Sequence, residues 1–117
     1  MPGRRSFLLS ALGLLGGVAG WSRGARSEHY EPTLGDDGLH KQPFFLQSFL
    51  DLTEDLTLAH ERDKRFAVMW ELKGCPYCRE THLVNFADHE IRAFVQRHFD
   101  ILQLNIIGAR HVTDFDG

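Results

Sequence analysis

The first clear pattern of apolar positions along the chain is helical. Between residues 44 and 64, apolar residues recur at intervals of four and three and so share one face of a helix. Glu54 and Asp55 fall on the opposite side. The pattern therefore predicts a helix from about Phe44 to Lys64. Its predicted buried face consists of Phe45, Phe49, Leu52, Leu56 and Ala59.

Two shorter apolar runs follow, and both have the length of strands. Residues 66–72 form a nearly continuous apolar run, which predicts a buried parallel strand covered on both faces. Residues 100–107 predict a second strand. Between the runs we expect a helix that Asp88 caps and that ends near His98. Strand, helical crossover and strand form a βαβ unit, so the two strands should be parallel with a right-handed connection.

The N-terminal residues have the composition of an export signal rather than of a fold element. Arg4 and Arg5 precede an apolar stretch that glycines interrupt, and small residues follow it. Residues 1–27 resemble a twin-arginine (Tat) signal, with an ordinary Sec signal as the alternative. The uncharged run is shorter than the roughly 20 residues of a spanning helix, so we expect a periplasmic protein without a stable membrane span after cleavage. Residues 28–43 contain Gly, Pro and Asp turn signals and predict a linker before a domain at 44–117.

The net charge of the chain restricts the kinds of molecule that it is expected to bind. The whole chain has a net charge of −3, but residues 1–27 hold four arginines and no acid. The remaining nine basic and sixteen acidic residues leave a net charge of −7. An acidic domain without a basic run is a poor candidate for binding nucleic acid or an anionic membrane surface.

The only two cysteines are separated by two residues, in Gly74-Cys75-Pro76-Tyr77-Cys78. A Cys-x-x-Cys between a strand and a helix is typical of a redox dithiol. At a helix start, free backbone N–H groups and the helix dipole favour a thiolate at Cys75, and Lys73 is a nearby cation that could lower the thiol pKa further. Pro76 suits the first helical position, and the dipeptide Pro76-Tyr77 tunes the redox potential. Cys78, one turn on, can close a disulfide with Cys75.

Other uses of the cysteine pair have to be considered. A structural disulfide across so short a loop would stabilise the fold little. A c-type haem would need His directly after Cys78, where Arg79 stands. A zinc or copper site would need more ligands, and His82 is the one candidate for a third. The alternative hypothesis is therefore a non-enzymatic metal-binding or interaction module that uses Cys75, Cys78 and His82.

The residues around the cysteines resemble a known family. Residues 71–80 (ELKGCPYCRE), the break at 85–88, and residues 102–106 and 112–117 are similar to exported bacterial thioredoxin-like proteins, and among them to the SoxW type associated with sulfur oxidation. The resemblance covers about residues 44–117. It implies a thioredoxin-like α/β fold and thiol–disulfide exchange, with Cys75 as attacking thiolate and Cys78 as resolving thiol. It implies no cofactor. Partners would be disulfide-containing periplasmic proteins and an upstream thiol electron donor.

Two departures from this family stand out. Thioredoxins usually bury an acid six residues before the nucleophile, where this chain has Met69. Glu71 is nearby, but the sequence does not assign it as a proton acceptor. The family also has a cis-proline loop, two antiparallel strands and a final helix after the βαβ unit, and no proline follows Pro76 here. We therefore expect an N-terminal helix and a βαβ unit with the C-terminal antiparallel half missing, that is, a truncated member or an inactive fragment.

Overall fold

A computed structural model of the chain describes residues 30–117. The predicted signal peptide and the first residues of the predicted linker lie outside this range. Within it, the elements follow in the order β1 (Thr33–Leu34), β2 (His40–Lys41), α1 (Leu52–Glu61), β3 (Arg65–Glu71), α2 (Pro76–Glu80), a π-helical turn (Thr81–Asn85), α3 (His89–His98) and β4 (Phe99–Asn105). None of the helices in residues 30–117 is long and apolar enough to cross a membrane.

The centre of the fold is a two-stranded parallel sheet. β3 and β4 pair from Arg65 opposite Phe99 to Glu71 opposite Asn105, which confirms the predicted parallel βαβ arrangement. Side chains alternate across a strand, so each face of the sheet carries its own apolar cluster. One cluster joins Leu50, Leu52, Leu102 and Leu104, and the other joins Phe45, Phe86 and Ile101.

Burial is unequal between the two strands. β4 is the buried one, with Ile101, Leu102 and Leu104 all less than a tenth exposed. β3 is half-buried along most of its length, and Trp70 is 58% exposed. The prediction that residues 66–72 are fully covered on both faces is therefore wrong, although the strand itself is present. Its last residue, Glu71, is by contrast almost completely buried.

The first helix is shorter than its apolar spacing predicts. It begins at Leu52, after Asp51 caps it by accepting from the N–H groups of Thr53 and Glu54 at 3.0 Å each. Residues 44–50 are not helical, because the Leu46 N–H donates to the carbonyl of Ile101 in β4 and pairs this segment with the sheet. The predicted start at Phe44 is wrong.

The predicted buried face of that helix needs a matching correction. Leu52 and Ala59 are buried as expected, but Phe49 is 97% exposed and Leu56 is 44% exposed. Asp55, expected on the solvent side, is buried and accepts a 2.5 Å hydrogen bond from the hydroxyl of Ser48. Burial of a carboxylate becomes tolerable when a donor satisfies it, and periodicity alone does not show that donor.

The second predicted helix boundary is confirmed. Asp88 caps α3 by accepting from the N–H groups of Glu90 at 2.9 Å and Ile91 at 3.0 Å, and the helix ends at His98. A short polar side chain just before the first turn satisfies two N–H groups that have no partner within the helix.

The segment before the predicted domain folds onto it. β1 and β2 form a short antiparallel hairpin within the stretch predicted as a linker. Leu39 and Gln42 are only 3% exposed. The N-terminal segment (residues 30–42) therefore packs against the rest of the described chain.

Candidate active site

A sharp turn joins the end of β3 to the start of α2. Gly74 has φ +81°, a left-handed conformation that glycine adopts without steric cost, and a Cβ placed there would meet no atom within 4 Å. The Cys75 N–H donates to the carbonyl of Leu72 at 3.1 Å and closes the turn. The turn thereby places Cys75 directly before the first helical residue, as the sequence predicts.

Cys75 occupies the N-cap position of α2. Its sulfur accepts a hydrogen bond from the backbone N–H of Cys78 at 3.2 Å, and Pro76 begins the helix at a position where a missing N–H costs nothing. A hydrogen bond to sulfur favours the charged form of that atom, because a thiolate is a better acceptor than a thiol. The helix start thus supports a thiolate at Cys75 whenever the pair is reduced.

The two cysteines form a disulfide, and their Cα atoms are 5.3 Å apart. Both residues are half-buried, so the bond is partly accessible to solvent. Accessibility matters because exchange requires an incoming sulfur to approach a disulfide sulfur directly.

The supporting residues that the sequence predicts flank the cysteines: Lys73 precedes the turn at Gly74, and Pro76 and Tyr77 begin α2. Tyr77, in the first turn of α2, is 83% exposed. The aliphatic stem of Lys73 lies against the hairpin, since a Cβ placed on Gly38 would be 2.7 Å from Lys73 Cδ. Lys73 therefore contacts the N-terminal segment.

A groove of about 670 Å³ runs past the disulfide. The turn and α2 line the groove together with the hairpin residues Gly38 to His40. Glu71, Cys75 and Cys78 all border this groove, while Leu72 and Val84 are exposed apolar side chains on its rim. The groove therefore brings the dithiol together with a carboxyl group and with a segment that the sequence predicts only as a linker.

His82 does not serve as a third ligand beside the cysteines. It is completely buried, and both of its ring nitrogens have partners: Nε2 lies 2.8 Å from Glu71 Oε1 and Nδ1 lies 2.9 Å from Gln42 Nε2. Among residues 30–117, no three His, Cys, Asp or Glu side chains are arranged to hold a metal ion. The alternative hypothesis of a Cys75, Cys78 and His82 metal module thus lacks its third ligand.

The sequence analysis did not predict that Glu71 is buried beside the groove. Glu71 and Met69 lie on the same face of β3, and Glu71 is one pleat closer to the turn that carries Cys75. Its side chain is 1% exposed and accepts from His82 at one oxygen and from Gln103 Nε2 at the other. The sequence does contain a clue to this burial. An acid at the end of an otherwise apolar strand needs a hydrogen-bond donor if it is buried. His82, one helical turn after Cys78, is a donor at a suitable spacing.

Comparison with known proteins fits this geometry. A family model described as "Thioredoxin-like domain" matches residues 52–117, which is more than half of the chain. Comparisons with curated proteins and with solved structures give no significant match. The match, the parallel βαβ unit and the Cys75–Cys78 pair at a strand-to-helix turn agree with one another, and we conclude that this chain belongs to the thioredoxin-like domain family.

Proposed function

We propose that this protein carries out thiol–disulfide exchange, with Cys75 attacking and Cys78 resolving. The observation that carries the proposal is the position of Cys75 at the N-cap of α2, where its sulfur accepts the Cys78 N–H at 3.2 Å. This arrangement distinguishes the two sulfurs, because only Cys75 receives that backbone hydrogen bond. The nucleophile should be the sulfur whose thiolate is stabilised, and the second sulfur should close the ring.

The exchange reaction proceeds in two steps. The Cys75 thiolate attacks a substrate disulfide, forms a mixed disulfide and releases one substrate thiolate. Cys78 then loses its proton, attacks the Cys75 sulfur and releases the second substrate thiolate. The substrate gains two electrons, the Cys75–Cys78 pair loses two, and an upstream thiol donor returns them.

Matched serine variants test this assignment. We expect Cys75→Ser to abolish reduction of a disulfide-bonded protein such as insulin, and Cys78→Ser to retain partners as mixed disulfides that dithiothreitol releases. The double variant is the control for non-specific capture. Equal trapping by both single variants, or full activity of Cys75→Ser, would contradict the assignment of roles.

For cellular location we propose export to the periplasm, which rests on the twin arginine and the apolar stretch of residues 1–27. Replacing both Arg4 and Arg5 with Lys should keep a Tat substrate in the cytoplasm, whereas a Sec substrate tolerates the change. Cell fractionation measures the outcome. Unaltered export of the Lys variant would contradict the Tat proposal and favour the Sec alternative.

For the partners we propose disulfide-bonded proteins of a sulfur-oxidation system. This part rests on the similarity of residues 71–80 and 102–106 to the SoxW type alone. Partners trapped by Cys78→Ser in the source cell, identified by mass spectrometry, test it directly. Recovery of only unrelated envelope proteins would overturn it while leaving the exchange chemistry intact.

A further inference from the structure

One edge of β3 has no neighbouring strand within residues 30–117. The sheet that contains β3 has β4 as its only other strand, and the Glu71 carbonyl accepts from the Ile106 N–H at 2.9 Å, so the backbone groups of Glu71 point toward β4. Backbone groups alternate from side to side along a strand, so those of Phe66, Val68 and Trp70 point away from β4. In the described part of the chain they make no backbone hydrogen bond to another segment. Such a row of unpaired groups is a template for an added strand.

An exposed tryptophan lies at one end of this edge. Trp70 is 58% exposed, although it shares a face of the sheet with Phe66 and Val68, which pack against the leucine cluster on that face. Its indole therefore leaves a large apolar area in water, and aromatic side chains of this kind dominate the energetics of protein interfaces.

A recess lies at the other end of the same edge, between α1 and the start of β3. It has a volume of about 460 Å³, and its lining residues are Leu56, His60, Asp63, Lys64, Arg65 and Phe66. Leu56 is 44% exposed and Phe66 is half-buried, so the recess offers apolar surface beside charged groups. A projecting indole at one end and a recess at the other suit a two-fold interface, in which both copies use the same patch.

We propose that a second copy of this chain pairs antiparallel with the free edge of β3, and that Trp70 of each copy fills the recess of the other. Val68 then lies opposite Val68 of the second copy, and Phe66 lies opposite Trp70. All three are residues whose backbone groups point outward, so each of these opposed pairs exchanges two N–H to carbonyl hydrogen bonds. The pairing is independent of the proposed thiol–disulfide exchange.

The charges at the two ends of β3 favour this register over its neighbours. With Val68 at the two-fold axis, Arg65 lies opposite Glu71 of the second copy, and beyond the strand ends Asp63 lies opposite Lys73. Opposite charges across an antiparallel pair are favourable, and like charges are unfavourable. A displacement of two residues in one direction places Arg65 opposite Lys73. The same displacement in the other direction places Asp63 opposite Glu71, so both neighbouring registers oppose like charges.

Sedimentation velocity of the purified chain, over a range of micromolar concentrations, tests the proposal. A reductant in the buffer excludes dimers that form through an intermolecular disulfide. We expect a monomer–dimer equilibrium in the wild type. Trp70→Lys should raise the Kd of the dimer about thirtyfold or more, because the interface loses a buried aromatic anchor. Phe94→Lys is the matched control: Phe94 is 59% exposed on α3, away from the β3 edge, and its replacement should leave the Kd unchanged.

Charge reversal tests the register. Lys73→Asp and Asp63→Lys should each raise the Kd about fivefold, because each places like charges opposite each other at two symmetric positions. The double variant restores opposite charges and should return the Kd to within about twofold of the wild type. Within one chain the two positions lie roughly 30 Å apart along the strand, so this recovery requires contact between two copies.

Circular dichroism of every variant separates a lost interface from a lost fold. A monomeric wild type would overturn the inference, whether residues 1–29 or a segment of another protein then covers the edge. A dimer that Phe94→Lys weakens as much as Trp70→Lys would place the interface on another face. A folded double variant that dimerises no more tightly than the single variants would equally contradict the proposed pairing.

Discussion

At the scale of single residues, Gly74 decides where the first sulfur lies. Its φ of +81° turns the chain between the end of β3 and the N-cap of α2. For a residue with a Cβ this conformation is strained even in open space, because Cβ approaches the following carbonyl oxygen. The position of Cys75 therefore depends on the backbone conformation of Gly74 and not on any side-chain packing at that residue.

Replacing Gly74 with Ala should lower the free energy of unfolding by about 1 kcal/mol through this backbone strain. Urea denaturation measures the change. Gly38→Ala is the matched comparison, because Gly38 also has a positive φ of +76° but lies against the stem of Lys73. Stability equal to the wild type for Gly74→Ala would show that the turn relaxes to another conformation at no cost.

The sequence predicts the chemistry-bearing residues of the site but not their surroundings. The spacing of Cys75 and Cys78 after an apolar run is a local signal, and the turn that it predicts is a local structure. Glu71, Gln42 and Gln103 come together through strand pairing and hairpin docking, over separations of about thirty residues or more. Contacts between residues so far apart do not show in the periodicity of apolar residues. For this reason the sequence did not predict which residues surround the buried Glu71 carboxylate.

At the scale of elements, helix starts are set by caps more than by apolar spacing. Both α1 and α3 begin directly after an aspartate whose carboxylate accepts two backbone N–H groups. For α3 the cap was recognised and the boundary was right. For α1 the apolar spacing continues upstream to Phe45 and predicts too early a start. Asp51 followed three residues later by Glu54 resembles a capping box and indicates the true start, but the prediction did not use it.

Removal of the α1 cap gives a test with a close control. Asp51→Ala should lower the free energy of unfolding by about 1 kcal/mol, because the N–H groups of Thr53 and Glu54 lose their acceptor. Asp51→Asn keeps a capping oxygen and should cost much less. The two variants can be compared by chemical denaturation. If the Asn variant lost as much as the Ala variant, the carboxylate charge rather than the cap would be responsible.

The N-terminal hairpin should be sensitive to acid. Partial burial would raise the pKa of Asp37, but hydrogen bonds from the Lys41 ammonium and the Leu39 N–H outweigh it, so the pKa is lowered. A carboxyl group whose pKa is lowered on folding contributes stability that is fully present above its unfolded pKa and is lost as the pH falls through its folded pKa. The hairpin turn should therefore loosen below about pH 4.

The Leu39 amide resonance during an acid titration reports this loosening. Asp37→Asn cannot titrate at that position and provides the control, so its Leu39 resonance should move less over the same range. A titration curve that is identical in the variant would assign the acid sensitivity to another group.

At the scale of the whole molecule, the apolar core and the redox site are separate. The two clusters that stabilise the sheet lie on its opposite faces, and neither contains Cys75 or Cys78. Hydrogen bonds among Tyr30, Gln42, His82 and Glu71 connect the hairpin to the sheet instead. Reduction of the Cys75–Cys78 disulfide should therefore alter the redox site but leave the protein folded.

This separation predicts that the reduced protein stays folded. The Cys75–Cys78 bond closes a loop of four residues, and a loop of that size restricts the unfolded chain only slightly, by about 2 kcal/mol at most. Far-ultraviolet circular dichroism should be the same before and after dithiothreitol, with a modest fall in the denaturation midpoint. The Cys75→Ser, Cys78→Ser double variant should not respond to the reductant at all. Loss of secondary structure on reduction of the wild type would mean that the disulfide supports the fold, and a site that must unfold each time it delivers electrons could not turn over as an exchange catalyst.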